Sequence, residues 1–230
     1  MKTSYSRMVY WSLGSIALFI LAYLLYVTAV NVSLVRPSWI TIIAAVFLGI
    51  VAADFVSGMV HWACDTWGRA DIPILGTIVL KSFRLHHVDQ LGITRHDFFE
   101  ANILNFIVSI PVMFGAFKME LSSELRAFVA MFLSFLVVFV VLTNQIHKWA
   151  HQARRSKLVS WLQKHHEILS AKAHAIHHSR PYTHAYCITT GWLNGPLEKI
   201  KFFRALERVI TALTGAVPRS DEARFEKLYA

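Results

Sequence analysis

Residues 127–151 read AFVAMFLSFLVVFVVLTNQIHKWAH, and the rest of the chain is best read from this stretch outward. No charge occurs between Ala127 and Ile146. That run is long enough for one helix to cross about 30 Å of hydrocarbon at about 1.5 Å per residue. The apolar run ends directly in HKWAH, which sets His147 and His151 four positions apart. Residues at i and i+4 share one helix face, so the two imidazoles can grip one metal ion at the end of a membrane span. The stretch therefore combines a lipid-facing helix with metal chemistry.

The remaining apolar residues also come in blocks, predicting spans at about 9–32, 38–60, 101–117 and 127–146. The block at 38–60 is interrupted only by Asp54, and the short one at 101–117 holds Pro111. No small-residue cleavage site follows the first block, which reads as a retained anchor rather than a signal peptide. Hydrophobic residues make up 55% of the chain and mean hydropathy is +0.46, more apolar than an ordinary soluble domain. The net charge of +9 suits an anionic membrane surface, and the hydropathy favours membrane over nucleic acid as its partner. Two cysteines, Cys64 and Cys187, cannot make a disulfide framework and read as packed side chains.

Basic residues crowd the stretch after Gln145, from Lys148 to Arg208, and the N-terminus carries Lys2 and Arg7. The connections near 31–38 and 118–126 hold only Arg36, Lys118 and Arg126. The positive-inside rule then puts both termini, and the segments 61–100 and 147–230, in the cytoplasm.

All 12 histidines lie between positions 61 and 184, within those two segments. HWACD repeats the four-residue spacing with His61 and Asp65, and AHAIHH places His174, His177 and His178 at i, i+3 and i+4. FRLHHVD adds His86 and His87, and TRHDFFE adds His96. A solvated basic surface has no reason to prefer such spacings. A haem would need two axial ligands and a zinc usually four, whereas eight or more nitrogens suit two metal ions. Neutral imidazole binds iron, zinc and copper. Two irons beside a bilayer suggest oxygen activation against an inert C–H bond, with electrons from outside because no flavin or dinucleotide fingerprint is present. A metal-ion transporter would instead place ligands along a path at mid-membrane, where only Asp54 lies.

Six stretches carry a family resemblance: DFVSGMVHWACDTWG (54–68), FRLHHVD (83–89), ITRHDFFEAN (93–102), TNQIHKWAH (143–151), HAIHH (174–178) and CITTGWLNGPLEKI (187–200). In these the chain resembles the plasmanylethanolamine desaturase family, the Kua/CarF-type lipid desaturases, over about residues 50–219. The apolar blocks and the charge bias predict an all-α integral membrane protein forming a single domain over 1–230, with about four transmembrane helices and a cytoplasmic helical cap that carries the histidines, and the resemblance implies that they form a di-iron site. It implies an O2-dependent desaturase that forms the vinyl ether bond of plasmalogens from 1-O-alkyl ether phospholipids. Its cofactors would be two iron ions, with electrons from a cytochrome b5-type or other reduced carrier. The membrane would be the inner membrane of a bacterium or the endoplasmic reticulum of a eukaryote. Matching positions imply His61, His86, His87, His147, His151, His174, His177 and His178 as metal ligands. Asp65 and His96 are implied as further ligands or as residues that orient them, and His166 also matches a family histidine.

The stretch PYTHAYC (181–187) departs from the animal members, which have histidine at the position of Tyr182, so His184 is not carried over as a ligand. It is similar to plastid relatives that desaturate the acyl chain of phosphatidylglycerol. That activity and a di-iron lipid hydroxylase are the alternatives within enzymes. The run 192–210 mixes apolar and basic residues at helical spacing, predicting an amphipathic helix that is packed, or that lies on anionic lipid.

Overall fold

The computed structural model describes residues 4–220 together with Phe225, Lys227 and Leu228. Among them there are helices and turns and no strand. Four helices are long and apolar enough to cross a membrane: α1 (Ser4–Val35), α2 (Trp39–Thr66), α4 (Phe98–Lys118) and α5 (Glu124–His151). Between α2 and α4 lie a π-helical turn (Leu75–Leu80), α3 (Lys81–Val88) and a 3-10 turn (Gly92–Arg95). After α5 come α6 (Lys157–Lys164), α7 (Ala171–His177), α8 (Asn194–Lys199) and α9 (Phe202–Thr214).

The long helices overrun the predicted spans, because each helix continues past its apolar block into charged sequence. The difference is largest at α4, which begins at Phe98 rather than Ala101 and runs unbroken through Pro111. Its start is fixed by Asp97, whose carboxylate accepts the backbone N–H of Glu100 at 2.9 Å and the Trp11 indole N–H at 2.9 Å. At 21 residues and about 1.5 Å per residue, α4 is long enough to span the hydrocarbon layer.

The chain divides into two compact units. The first comprises Met1–Asp54 and His96–Ile146. Its core gathers Leu21, Leu24, Phe99, Phe106, Met113 and Val137. Gly14 is required where α1 meets α4: a Cβ there would stand 2.2 Å from Phe99 Cδ1. Between α4 and α5, the Asn105 amide donates to the Val140 carbonyl at 2.8 Å and the Asn144 amide to the Ala101 carbonyl at 2.7 Å. Such bonds join helices where apolar faces supply little preference for each other over lipid. Asp54 is fully buried in α2, so it is not a solvated carboxylate at an interface.

The second unit comprises Phe55–Arg95 and His147–Ala230. Its apolar core is built from Trp62, Tyr186, Cys187, Leu197 and Phe203. Both cysteines are buried free thiols. Gly58 admits Cys187, whose Sγ would lie 2.5 Å from a Cβ at that position. The predicted helix over 192–210 is two helices, interrupted at Lys201, whose φ of 53° lies in the left-handed region. The break turns Phe203 and Glu207 inward, where Glu207 accepts the Trp62 indole N–H at 3.0 Å.

Candidate metal centre

All eight predicted ligand histidines fall in the second unit, on four helical segments. His61 and Asp65 sit on the last turns of α2, and His147 and His151 at the end of α5. His86 and His87 close α3. The Ser170 hydroxyl caps α7 by accepting the Ala173 N–H at 3.2 Å, starting the helix that carries His174, His177 and, at its C-cap, His178.

These side chains converge into two groups. One holds His86, His147, His151, His174 and His178; the other holds His61, Asp65, His87 and His177. Within each, one ligand atom per residue lies within 4.8 Å of every other. The two HH dipeptides are divided, His86 from His87 and His178 from His177, because adjacent helical residues point about 100° apart. Pairs at i and i+4 stay together.

In the five-histidine group, His147 Nε2 lies 2.9 Å from His86 Nε2, 2.8 Å from His174 Nε2 and 3.2 Å from His151 Nε2. His174 Nε2 in turn lies 2.8 Å from His151 Nε2 and 2.9 Å from His178 Nε2. A neutral imidazole nitrogen offers one proton or one lone pair, so it cannot make three such bonds at once. One cation at the focus would use every lone pair. Neighbouring ligands about 2.1 Å from a metal are about 3.0 Å apart at right angles and about 3.4 Å apart in a tetrahedron. The observed spacings fit the right-angled arrangement, and a donor set of five exceeds the four of a structural zinc site.

The second group is looser. Asp65 Oδ2 stands 3.4 Å from His61 Nε2 and 3.5 Å from both His87 Nε2 and His177 Nε2, while His87 and His177 approach to 3.1 Å. Asp65 thus lies among the ring nitrogens as a potential ligand rather than behind them. Two rings are oriented from behind by backbone. His177 Nδ1 lies 2.9 Å from the His184 carbonyl, and His61 Nδ1 lies 3.2 Å from the Tyr186 carbonyl. A proton held at Nδ1 by a carbonyl leaves the Nε2 lone pair turned to the metal.

Burial keeps these rings neutral. In the segments outside the four long helices, burial first and neighbouring imidazoles second push His86 and His174 well below the usual histidine value. By the same causes His87 falls to about 2 and His178 to about 3. His177 falls to about 4 through burial. Neutral imidazole is the form that binds metal.

Neither group includes the remaining histidines. His96 belongs to the first unit, where its Nε2 lies 3.7 Å from Glu100 Oε1 and its side chain is 44% exposed. His184 pairs with Glu198 at 3.1 Å through Nδ1 and serves the second group only by its carbonyl. His166 is exposed, and its carbonyl accepts the Trp192 indole N–H. Sequence reasoning missed three contributors: the carbonyls of His184 and Tyr186, and Arg84. The buried Arg84 guanidinium donates to the carbonyls of Trp67 and Gly68 at 2.8 and 2.9 Å, which secures the end of α2 just beyond Asp65. Backbone acceptors leave no residue-type signal.

Residues 50–221 match the lipid desaturase domain. The chain belongs to the lipid desaturase family. It is 47% identical over 185 residues to a plasmanylethanolamine desaturase of Myxococcus xanthus, covering 80% of this chain and 66% of that protein. It is 45% identical over 191 residues to plasmanylethanolamine desaturase 1 of Mus musculus, covering 80% of this chain and 70% of that one. A third relative is fatty acid desaturase 4, chloroplastic, of Arabidopsis thaliana, 35% identical over 179 residues that make up 53% of its length. The chain thus spans about two thirds of the first relative and about half of the plant protein. No solved structure matches it. Both candidate donor groups lie inside the matched residues.

Proposed function

We propose that the protein is an O2-dependent membrane desaturase that converts 1-O-alkyl ether phospholipids to vinyl ether lipids. The observation that carries the reading is the division of eight histidines and Asp65 into two adjoining donor sets in a chain of this family. The identities with the bacterial and mouse plasmanylethanolamine desaturases support the ether substrate. Four apolar helices and the basic bias after Gln145 support an integral membrane protein with both termini and the histidine-bearing segments in the cytoplasm.

The overall change is R–O–CH2–CH2–R′ + O2 + 2 e⁻ + 2 H⁺ → R–O–CH=CH–R′ + 2 H2O. Two C–H bonds break, and O2 takes up the electrons from them and from a reduced carrier such as a cytochrome b5-type protein. Two iron ions, when bound, would supply the O2 chemistry that no side chain can perform. The chain's own residues hold that pair. His86, His147, His151, His174 and His178 present one set of nitrogens, and His61, His87, His177 and Asp65 present the other. Asp65 adds the negative charge that the five-imidazole group lacks, so the two sets would stabilise their ions unequally. The carbonyls of His184 and Tyr186 fix two rings, and burial of His61, Asp65, His87 and His177 excludes water from that set.

The deciding test is lipid analysis of a host supplied with alkyl-ether phospholipid, with and without the chain. Acid-labile vinyl ethers should appear only with it, and should disappear when His177, which is fully buried, is replaced by alanine. Desaturation confined to ester-linked acyl chains would reject the ether substrate and favour the activity named for the plant relative.

A further inference from the structure

Each donor set opens onto its own cavity, and the two cavities differ in chemistry. Beside Asp65 and His87 is a small one of about 70 Å³, whose lining includes Arg204, Glu207 and Arg219. A saturated chain there would face buried charge in a space of a few waters. Beside the five-histidine group is a partly open recess of about 350 Å³, within the usual range for small-ligand sites. Its walls are Leu91, Ala150, Ala171 and Ala175, with the neutral amide of Gln90 as a further polar group. His151, His174 and His178 of the metal-binding group complete the lining.

The register of α7 explains this composition. Ala171, His174, Ala175 and His178 stand at i, i+3, i+4 and i+7, so a single face carries both the donor nitrogens and the small side chains. A larger residue at 171 or 175 would extend into the recess. The Nδ1 atoms of His174 and His178 are buried and have no hydrogen-bond partner, whereas His61 and His177 are tied from behind by carbonyls. Those two Nδ1 atoms are closed to solvent and so do not face the recess.

We infer that this alanine-walled recess seats the saturated carbons beside an ether or ester oxygen of a lipid chain, and that Ala171 and Ala175 set which chain is desaturated. The inference rests on the desaturase reading above. A recess whose lining carries no charged side chain accepts methylenes, whose burial is favourable. The five-histidine set, not the set containing Asp65, then faces the carbons that lose hydrogen.

The test uses full-length protein in nanodiscs of ether phospholipid. A lipid carrying a diazirine on the first carbons of its alkyl chain should label peptides containing Leu91 or Ala175, in metal-free as well as metal-loaded protein. Ala175→Leu and Ala171→Leu should abolish that labelling and lower kcat/KM at least about tenfold with bound metal unchanged. Ile176→Leu, next to Ala175 but outside the recess lining, should change neither. Labelling at Tyr182 or Thr183 of the polar cavity, or leucine variants that keep both label and rate, would overturn the inference. A wild-type protein that labels at Leu91 or Ala175 yet makes no vinyl ether would sink the assigned reaction and leave the recess standing.

Discussion

Adjacent residues on a helix differ in direction by about 100°, and the two HH dipeptides use that angle to join different donor groups. His86 joins His147, His151, His174 and His178, while His87 joins His61, Asp65 and His177. Removing either ring should therefore have a separable effect, although the two are neighbours in the chain. His86→Ala and His87→Ala should each reduce bound iron from about two to about one per chain, and the double variant should bind almost none. Because replacing even an orienting partner of a metal ligand costs about 10–100-fold, each single loss should lower turnover at least about a hundredfold. Metal analysis and single-turnover assays on the three variants decide it. If the double variant held as much iron as either single, both histidines would serve one ion and the division would be wrong.

At the scale of elements, helices aim most of the ligands and one loop keeps two rings turned correctly. That loop, 184–194, is held by Asn194, whose side-chain oxygen accepts the Cys187 N–H at 2.8 Å and whose amide donates to the Cys187 carbonyl at 2.9 Å. Ser57 adds a bond from the Ile188 N–H at 3.0 Å. Asn194→Ala should cost about 2 kcal/mol, from two hydrogen bonds of about 1 kcal/mol each, and should weaken metal binding about tenfold or more by loosening the Tyr186 carbonyl behind His61. Thermal melting and metal titration would measure both effects, and a variant that melts and binds like wild type would deny the loop this role. The same contrast explains what could be read in advance. Four spans and the i, i+4 pairs were legible because hydrophobic runs and helical periodicity are local. The early start of α4 had a local signal too, since Asp97 and Glu100 have the spacing of a helix cap. The break at Lys201, the division of the HH pairs and the two carbonyls depend on contacts between segments distant in the chain or on loop backbone, and no local pattern encodes them.

For the whole molecule, the cost of gathering so many imidazoles falls on the metal-free protein, and pH exposes it. His86, His87, His174, His177 and His178 all titrate below the ordinary histidine value of about 6.5 when folded, through burial first. Above about pH 6.5 both the folded and the unfolded chain leave these rings neutral, and stability does not depend on them. As pH falls below that value, the unfolded chain takes up protons that the folded chain refuses, so unfolding becomes easier. Each such ring contributes up to about 1.4 kcal/mol per pH unit, and the decline continues until the folded value is reached, about 4 for His177 and about 3 for His178. Bound metal acts in the same direction as high pH, since it binds only the neutral rings of the folded state. Protein stripped by a chelator should therefore melt at a nearly constant temperature from pH 8 to about 7 and at steeply lower temperatures from about 6.5 to 5. Iron-loaded protein should melt higher throughout and begin its decline at a lower pH. Melting curves of both forms across this range are the measurement. A chelated protein whose melting temperature stays flat down to pH 5 would mean that the folded rings take up protons as readily as the unfolded ones, and that burial does not hold them neutral.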